Sequence, residues 1–233
     1  MSVELADVAV TVAAAVAGFV AAPYAGRAIR DTPPDPEDDP PPVPRVGPWL
    51  ERRKLLAPLL AVVAAGVAAR TGAHPVAAAH VVAAIGLVTL SVIDLDLFLL
   101  PKRIVWPTVG AIAALLVIAA AVDGDAVALK RAALCGLGGF GALLVLHIIS
   151  PNGMGFGDVR LAGLIGLDLG WLGVEQVVFG IFAGFVFAAT VGIALLVSRR
   201  RKTKDAVPFG PFLALGTLFI LFGGDVLLGI ARH

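Results

Sequence analysis

A single cysteine, Cys135, excludes an internal disulfide and, by itself, a Cys-based zinc site. It lies in an apolar run, where a lone thiol reads as a small core-filling residue. Charge is scarce as well. Only 15% of the 233 residues are Asp, Glu, Lys or Arg, and they sum to +1, so nothing signals a nucleic-acid partner. The histidines have no carboxylate or cysteine at ligand spacing, so no metal and no cofactor is expected. His74 falls in a short outer loop, His80 and His147 in apolar segments, and His233 at the last position; His147, two to three turns before Gly155, could line a site there. The first apolar run follows Glu4 and Asp7 rather than a basic stretch, so no removable signal peptide is expected. No internal repeat stands out, which disfavours an inverted-repeat transporter.

What is abundant is apolar side chain. At 59% hydrophobic residues and a mean hydropathy of +0.95, the chain carries more than a globule of this length can bury, and lipid must solvate the excess. The expected class is all-α: a polytopic transmembrane helix bundle in the cell membrane. About 20 apolar residues cross a bilayer, and eight segments qualify, at about 5–22 (ending at Pro23), 55–69, 76–93, 104–122, 132–149, 159–174, 177–197 and 208–230. The sixth is the weakest, because Asp168 interrupts it. Between the first two lies Thr32-Pro33-Pro34-Asp35-Pro36-Glu37-Asp38-Asp39-Pro40-Pro41-Pro42. Proline at that density favours polyproline II over helix and predicts a solvated linker. The chain thus divides into a first span (1–30), a proline-rich cytoplasmic linker (31–54) and a membrane-embedded core (55–233).

Basic residues favour cytoplasmic loops. With eight spans and the amino terminus outside, 14 of the 18 Lys and Arg fall on one side, including Arg199-Arg200-Arg201-Lys202, and only Arg70, Lys130, Arg131 and Arg232 on the other. Dropping the sixth span would put that basic run outside, so the charge pattern argues for it despite Asp168. The same topology brings Asp94 and Asp158 to the cytoplasmic side.

A carboxylate at membrane depth is costly and should face a cavity or a partner. Two brought close in a low-dielectric site do not both ionise easily. One keeps its proton and polarises a carbonyl while the other takes a proton from water, which suits peptide hydrolysis. Plainer roles are open to both groups. Asp158 precedes a helical run and would serve as an N-cap, and Asp94 or Asp96 would pair with Lys102 or Arg103 at the interface. The glycines at 153, 155 and 157 permit backbone geometry that side chains forbid.

Three stretches taken together are more specific. Ile93-Asp94-Leu95-Asp96-Leu97-Phe98-Leu99-Leu100-Pro101 resembles the Ile-Asp-x-Asp-x-x-Leu-Leu-Pro signature of prepilin peptidases, the type IV leader peptidases. Gly155-Phe156-Gly157-Asp158-Val159-Arg160-Leu161 resembles their Gly-x-Gly-Asp-x-Lys-Leu motif, with Arg160 in place of the usual lysine. Val207-Pro208-Phe209-Gly210-Pro211-Phe212-Leu213-Ala214 is similar to their Ile-Pro-Phe-Gly-Pro-x-Leu-Ala motif. The resemblance implies an aspartic endopeptidase of the Gly-x-Gly-Asp type, acting on prepilins or pseudopilins with a short basic leader. It implies Asp94 and Asp158 as the catalytic pair, with Asp96, Pro101, Gly155, Gly157, Arg160, Pro208, Gly210 and Pro211 in support. Bifunctional members also methylate the new amino terminus, often with a cytoplasmic domain holding two Cys-x-x-Cys pairs. Here that place holds the proline-rich linker, and of the family's early Gly-Ser-Phe-Leu-Asn segment only a faint trace remains in Gly18-Phe19-Val20-Ala21-Ala22, with no asparagine. This chain resembles a short form without support for a zinc site or methyltransferase activity. A proton-coupled transporter and an inactive assembly partner are the competing readings.

Overall fold

The computed structural model describes residues 2–31, 55–151, 153–198 and 208–224, with Val226 and Gly229. All but the first residue of the expected linker, the basic run after 198 and most of the chain beyond 224 lie outside the described residues. Among the described residues eight α-helices follow in order: α1 Ser2–Asp31, α2 Leu56–Thr71, α3 Ala77–Leu97, α4 Lys102–Asp123, α5 Ala126–Ile149, α6 Phe156–Leu172, α7 Val174–Val197 and α8 Gly210–Phe219. A π-helical turn, Ile220–Gly224, continues α8. Among the described residues there is no strand.

The ends of these helices are chemically marked. Gly124 closes α4 in the left-handed region at φ 72°, where a Cβ would be strained. Asp125 then caps α5 by accepting from the Ala128 amide at 2.8 Å. At the far end of α6, Arg131 of α5 donates from Nε to the Gly170 carbonyl at 2.9 Å and from its second terminal nitrogen to the Trp171 carbonyl. A cation there satisfies terminal carbonyls and suits the negative end of the helix dipole.

Among the described residues four stretches are long and apolar enough to cross a membrane: Ala77–Leu95, Lys102–Asp123, Ala126–Ile149 and Val174–Val197. Ala6–Ala21, Leu56–Thr71 and Gly210–Gly223 are shorter apolar helices. Two expectations need correction. The first helix does not end at Pro23 but continues to Asp31; a proline deletes one hydrogen bond and bends a helix, and need not terminate it. The last segment is not regular through 230, because its α-helical part stops at Phe219 and the π turn holds Gly223 at φ 106°.

Exposure is inverted relative to a water-soluble protein. Leu134 and Leu137 of α5, Val117 and Ile118 of α4, and Phe182 and Ile193 of α7 point outward. An aqueous surface would not carry such a belt, whereas lipid would. The centre belongs to α3 and α6, whose Leu87, Leu90, Ile93, Leu161, Leu164, Ile165 and Leu169 are fully enclosed. Helices approach closely through small residues. A Cβ on Gly166 of α6 would collide with the Cys135 carbonyl of α5, and one on Gly216 of α8 with the Gly180 carbonyl of α7. In lipid, where apolar burial drives little association, backbone contact of this kind supplies the packing.

Candidate active site

Asp94 lies one turn before the end of α3. Phe98 terminates that helix in the left-handed region at φ 54°, its N–H donating to the Asp94 carbonyl at 2.9 Å. Leu99 and Leu100 lead to Pro101, which forms the N-cap of α4; its carbonyl accepts from Ile104 at 3.0 Å and Val105 at 3.1 Å. The cap position leaves the missing N–H of proline without consequence.

Asp158 sits in the first turn of α6, whose N-cap is Gly155. Its amide donates to the Gly155 carbonyl at 3.1 Å, and its carboxyl lies near that residue, since a Cβ on Gly155 would stand 3.6 Å from Oδ2. The expected N-cap role is therefore corrected. Asp158 occupies the third helical position and not the cap, which is Gly155.

The third motif arrives from α8. The Gly210 N–H donates to Asp94 Oδ2 at 2.9 Å in a buried contact. A Cβ on Gly210 would stand 2.8 Å from that oxygen, so only glycine lets this backbone approach. Pro211 occupies the second position of α8, where no amide partner is required. Pro208, half-buried, leads into the cap residue Phe209, whose ring packs on Phe185 at 4.8 Å.

Together these elements enclose a cleft of about 100 Å³ lined by Asp94, Phe98, Leu99, Leu100, Gly155, Gly157 and Asp158. Asp94 is 5% and Asp158 7% exposed, and both line this space. Gly157 is as constrained as Gly210: a Cβ there would meet Leu100 Cβ at 2.7 Å.

The other expected residues divide. Asp96 lies on the last turn of α3, but its side chain is outside the described residues. Arg160 is buried away from the cleft lining, its guanidinium 4.8 Å over the Phe156 ring. The pairing of Asp94 with Lys102 or Arg103 gives way to its bond with Gly210. His147 does not line the cleft either. Its Nδ1 meets the Met154 carbonyl at 2.7 Å and its ring lies edge-on to Phe156 at 5.6 Å, bracing the glycine turn from behind. Leu100, which forms a wall for both glycines, was visible only as an apolar motif position. Among the described residues no group of three His, Cys, Asp or Glu could hold a metal ion.

His80 was read as an ordinary apolar-segment histidine and Asp168 as an interruption. They are partners: His80 Nδ1 meets Asp168 Oδ1 at 2.9 Å, with the two side chains 1% and 0% exposed. The signal that could have found them is the oddity of each alone, a polar group in a membrane-length apolar run.

An all-helical membrane protein with two enclosed carboxyls opening into one cleft is the class these features define. Residues 81–193 match the type IV leader peptidase family. The prepilin leader peptidase/N-methyltransferase of Aeromonas hydrophila is 32% identical over 146 residues, covering 60% of this chain and 47% of that protein. The protein of that name from Pseudomonas putida is 33% identical over 146 residues, covering 60% and 48%. The one from Bacillus subtilis is 29% identical over 142 residues, covering 61% and 54%. No solved structure matches. The match to the type IV leader peptidase family covers just under half of this chain, and the chain spans about half the length of the curated relatives it matches.

Proposed function

We propose that this protein is an aspartic endopeptidase that removes the short basic leader from type IV prepilin-like proteins at the cytoplasmic face of the cell membrane. The observation that carries this reading is the meeting of Asp94 and Asp158 in one cleft, with the Gly210 amide fixed on Asp94. Three motifs far apart in the chain thereby supply one site.

In the proposed reaction a water molecule in the cleft lies between the carboxyls. The ionised one takes its proton as the oxygen attacks the scissile carbonyl, and the protonated one donates to the carbonyl oxygen. Gly210 limits which way the Asp94 carboxyl turns, since its amide holds Oδ2 and leaves Oδ1 for the cleft. The basic leader approaches a pair carrying negative charge while its hydrophobic helix lies along the lipid-facing helices.

The topology that goes with this reading has eight membrane segments, both ends outside and the basic loops inside. Residues 31–54 are then a cytoplasmic linker and 55–233 the peptidase core. The relatives carry a second activity in their names, N-methyltransferase. With one cysteine in the sequence, this chain has no paired thiols for the zinc-bearing domain of bifunctional members, which makes methyltransferase activity doubtful.

The test is co-expression with a prepilin bearing a basic leader, read as a gel shift. Wild-type protein should shorten the substrate, while Asp94→Asn and Asp158→Asn should each leave it full-length with the protease still inserted. Full processing by either variant removes that residue from the proposed pair.

A further inference from the structure

The helices that carry Asp94 and Asp158 have little to hold them to each other. Most of α6 packs along α5, and α3 packs mainly on α2, α4 and α8; α3 and α6 meet along only a small part of their length. Among the described residues a side-chain hydrogen bond joins them, His80 to Asp168, completely buried, at the end of the bundle opposite the cleft. His80 lies 14 residues before Asp94 on α3, and Asp168 lies 10 residues after Asp158 on α6. At the helical rise these separations are roughly 21 Å and roughly 15 Å. The helices run antiparallel, so the polar pair and the carboxyl pair sit at the two ends of one shared interface.

This arrangement is costly. Beyond the bond they share, His80 Nε2 and Asp168 Oδ2 have no hydrogen-bond partner among the described residues. Two apolar side chains would satisfy the same volume without stranding polar atoms, and replacing buried polar pairs that way often stabilises a protein. What apolar packing does not supply is direction. A hydrogen bond between fixed atoms defines one axial register, whereas leucine against leucine tolerates sliding. Fixing register is the best-attested service of a buried polar pair.

We propose that His80 and Asp168 are positioning residues that lock the register of α3 against α6 and so set the approach of Asp94 to Asp158. The inference rests on the peptidase reading for its kinetic consequence, but its geometric content stands independently. The pair lies far from the reacting atoms and acts only through the two helices.

The experiment uses full-length protein in nanodiscs, with a prepilin-derived substrate and thermal melts on every variant. His80→Leu and Asp168→Leu should each cut kcat by roughly 10- to 100-fold, as expected for a misplacement of about 1 Å, with KM changed less than about twofold. The exchange His80→Asp/Asp168→His should recover much of kcat. The double variant His80→Leu/Asp168→Leu should recover the melting temperature without recovering kcat. A second arm reads geometry directly. In a Cys135→Ala background, spin labels at Leu95 of α3 and Ile149 of α5, both exposed, report the cleft end of the interface because α5 travels with α6. Their distance distribution should broaden in the single variants and narrow again in the exchange. Unchanged kcat in the single variants, or full kcat in the double leucine variant, overturns the proposal in favour of simple packing. If the single variants fail to fold, the double leucine variant decides by its kcat. If wild-type protein cleaves nothing, the peptidase reading falls and the label distances alone judge the register claim; an unchanged distribution then overturns it.

Discussion

The Gly210 amide and the Asp94 carboxyl meet at 2.9 Å across 116 positions of sequence. This bond joins the last motif of the chain to the first and gives a proline-glycine turn a definite task, that of orienting an acid. A side chain at 210 would stand at 2.8 Å from Asp94 Oδ2 and force either the turn or the carboxyl to move. Gly210→Ala should therefore reduce cleavage by roughly 100-fold, on the scale of a 1 Å displacement, while melting close to wild type. A kinetic assay on inserted protein checks it; activity within twofold of wild type would show that the orientation of Asp94 does not depend on this contact.

The carboxyl pair yields the most direct prediction. Asp94→Asn and Asp158→Asn preserve shape and remove the ionisable group, so each should abolish cleavage rather than weaken it. The double variant should be no worse than either single one, because groups that act as a unit are not additive. Single-turnover rates for the three variants test this, and independent multiplicative losses would contradict a joint mechanism.

Gly157 and Leu100 form the opposite wall. A methyl at 157 would meet Leu100 Cβ at 2.7 Å, a contact with the root of that side chain and not its flexible end. Gly157→Ala should lose activity, and Leu100→Ala should fail to rescue it because alanine keeps the offending atom. Only Leu100→Gly should relieve the collision. Recovery of cleavage in Gly157→Ala/Leu100→Ala would show that the clash lies elsewhere.

Arg131 predicts a stability effect without a chemical one. It closes the far end of α6 by donating to the Gly170 and Trp171 carbonyls. Arg131→Ala should destabilise the protein by roughly 2 kcal/mol, the scale of hydrogen bonds from a charged donor. Unfolding in micelles measures it, and kcat at low temperature should hold.

Much of this organisation can be read from the chain alone. Apolar runs separated by charge, proline and glycine place the helices of the described residues, because a long helix in lipid leaves a long uninterrupted signal. Asp94 and Asp158 stand out because carboxylates are rare in such runs. Pairings across the bundle cannot be read that way. His80 and Asp168 are 88 positions apart, and each alone has a bland explanation: an enclosed histidine, and an acid that weakens a span. Their meaning appears only when α3 and α6 are laid side by side. Pro23 misleads for a different reason. A local rule weighs one lost hydrogen bond, whereas a helix in apolar surroundings keeps the others on either side. The role of His147 was likewise out of reach, since nothing in its spacing distinguishes a cleft-lining ring from one braced against Met154 and Phe156.

A volume of about 100 Å³ is the size of a few solvent molecules, far below that of an extended peptide. On the proposed peptidase reading, Phe98, Leu99 and Leu100, which line that space beside both carboxyls, would have to move for an extended peptide to enter.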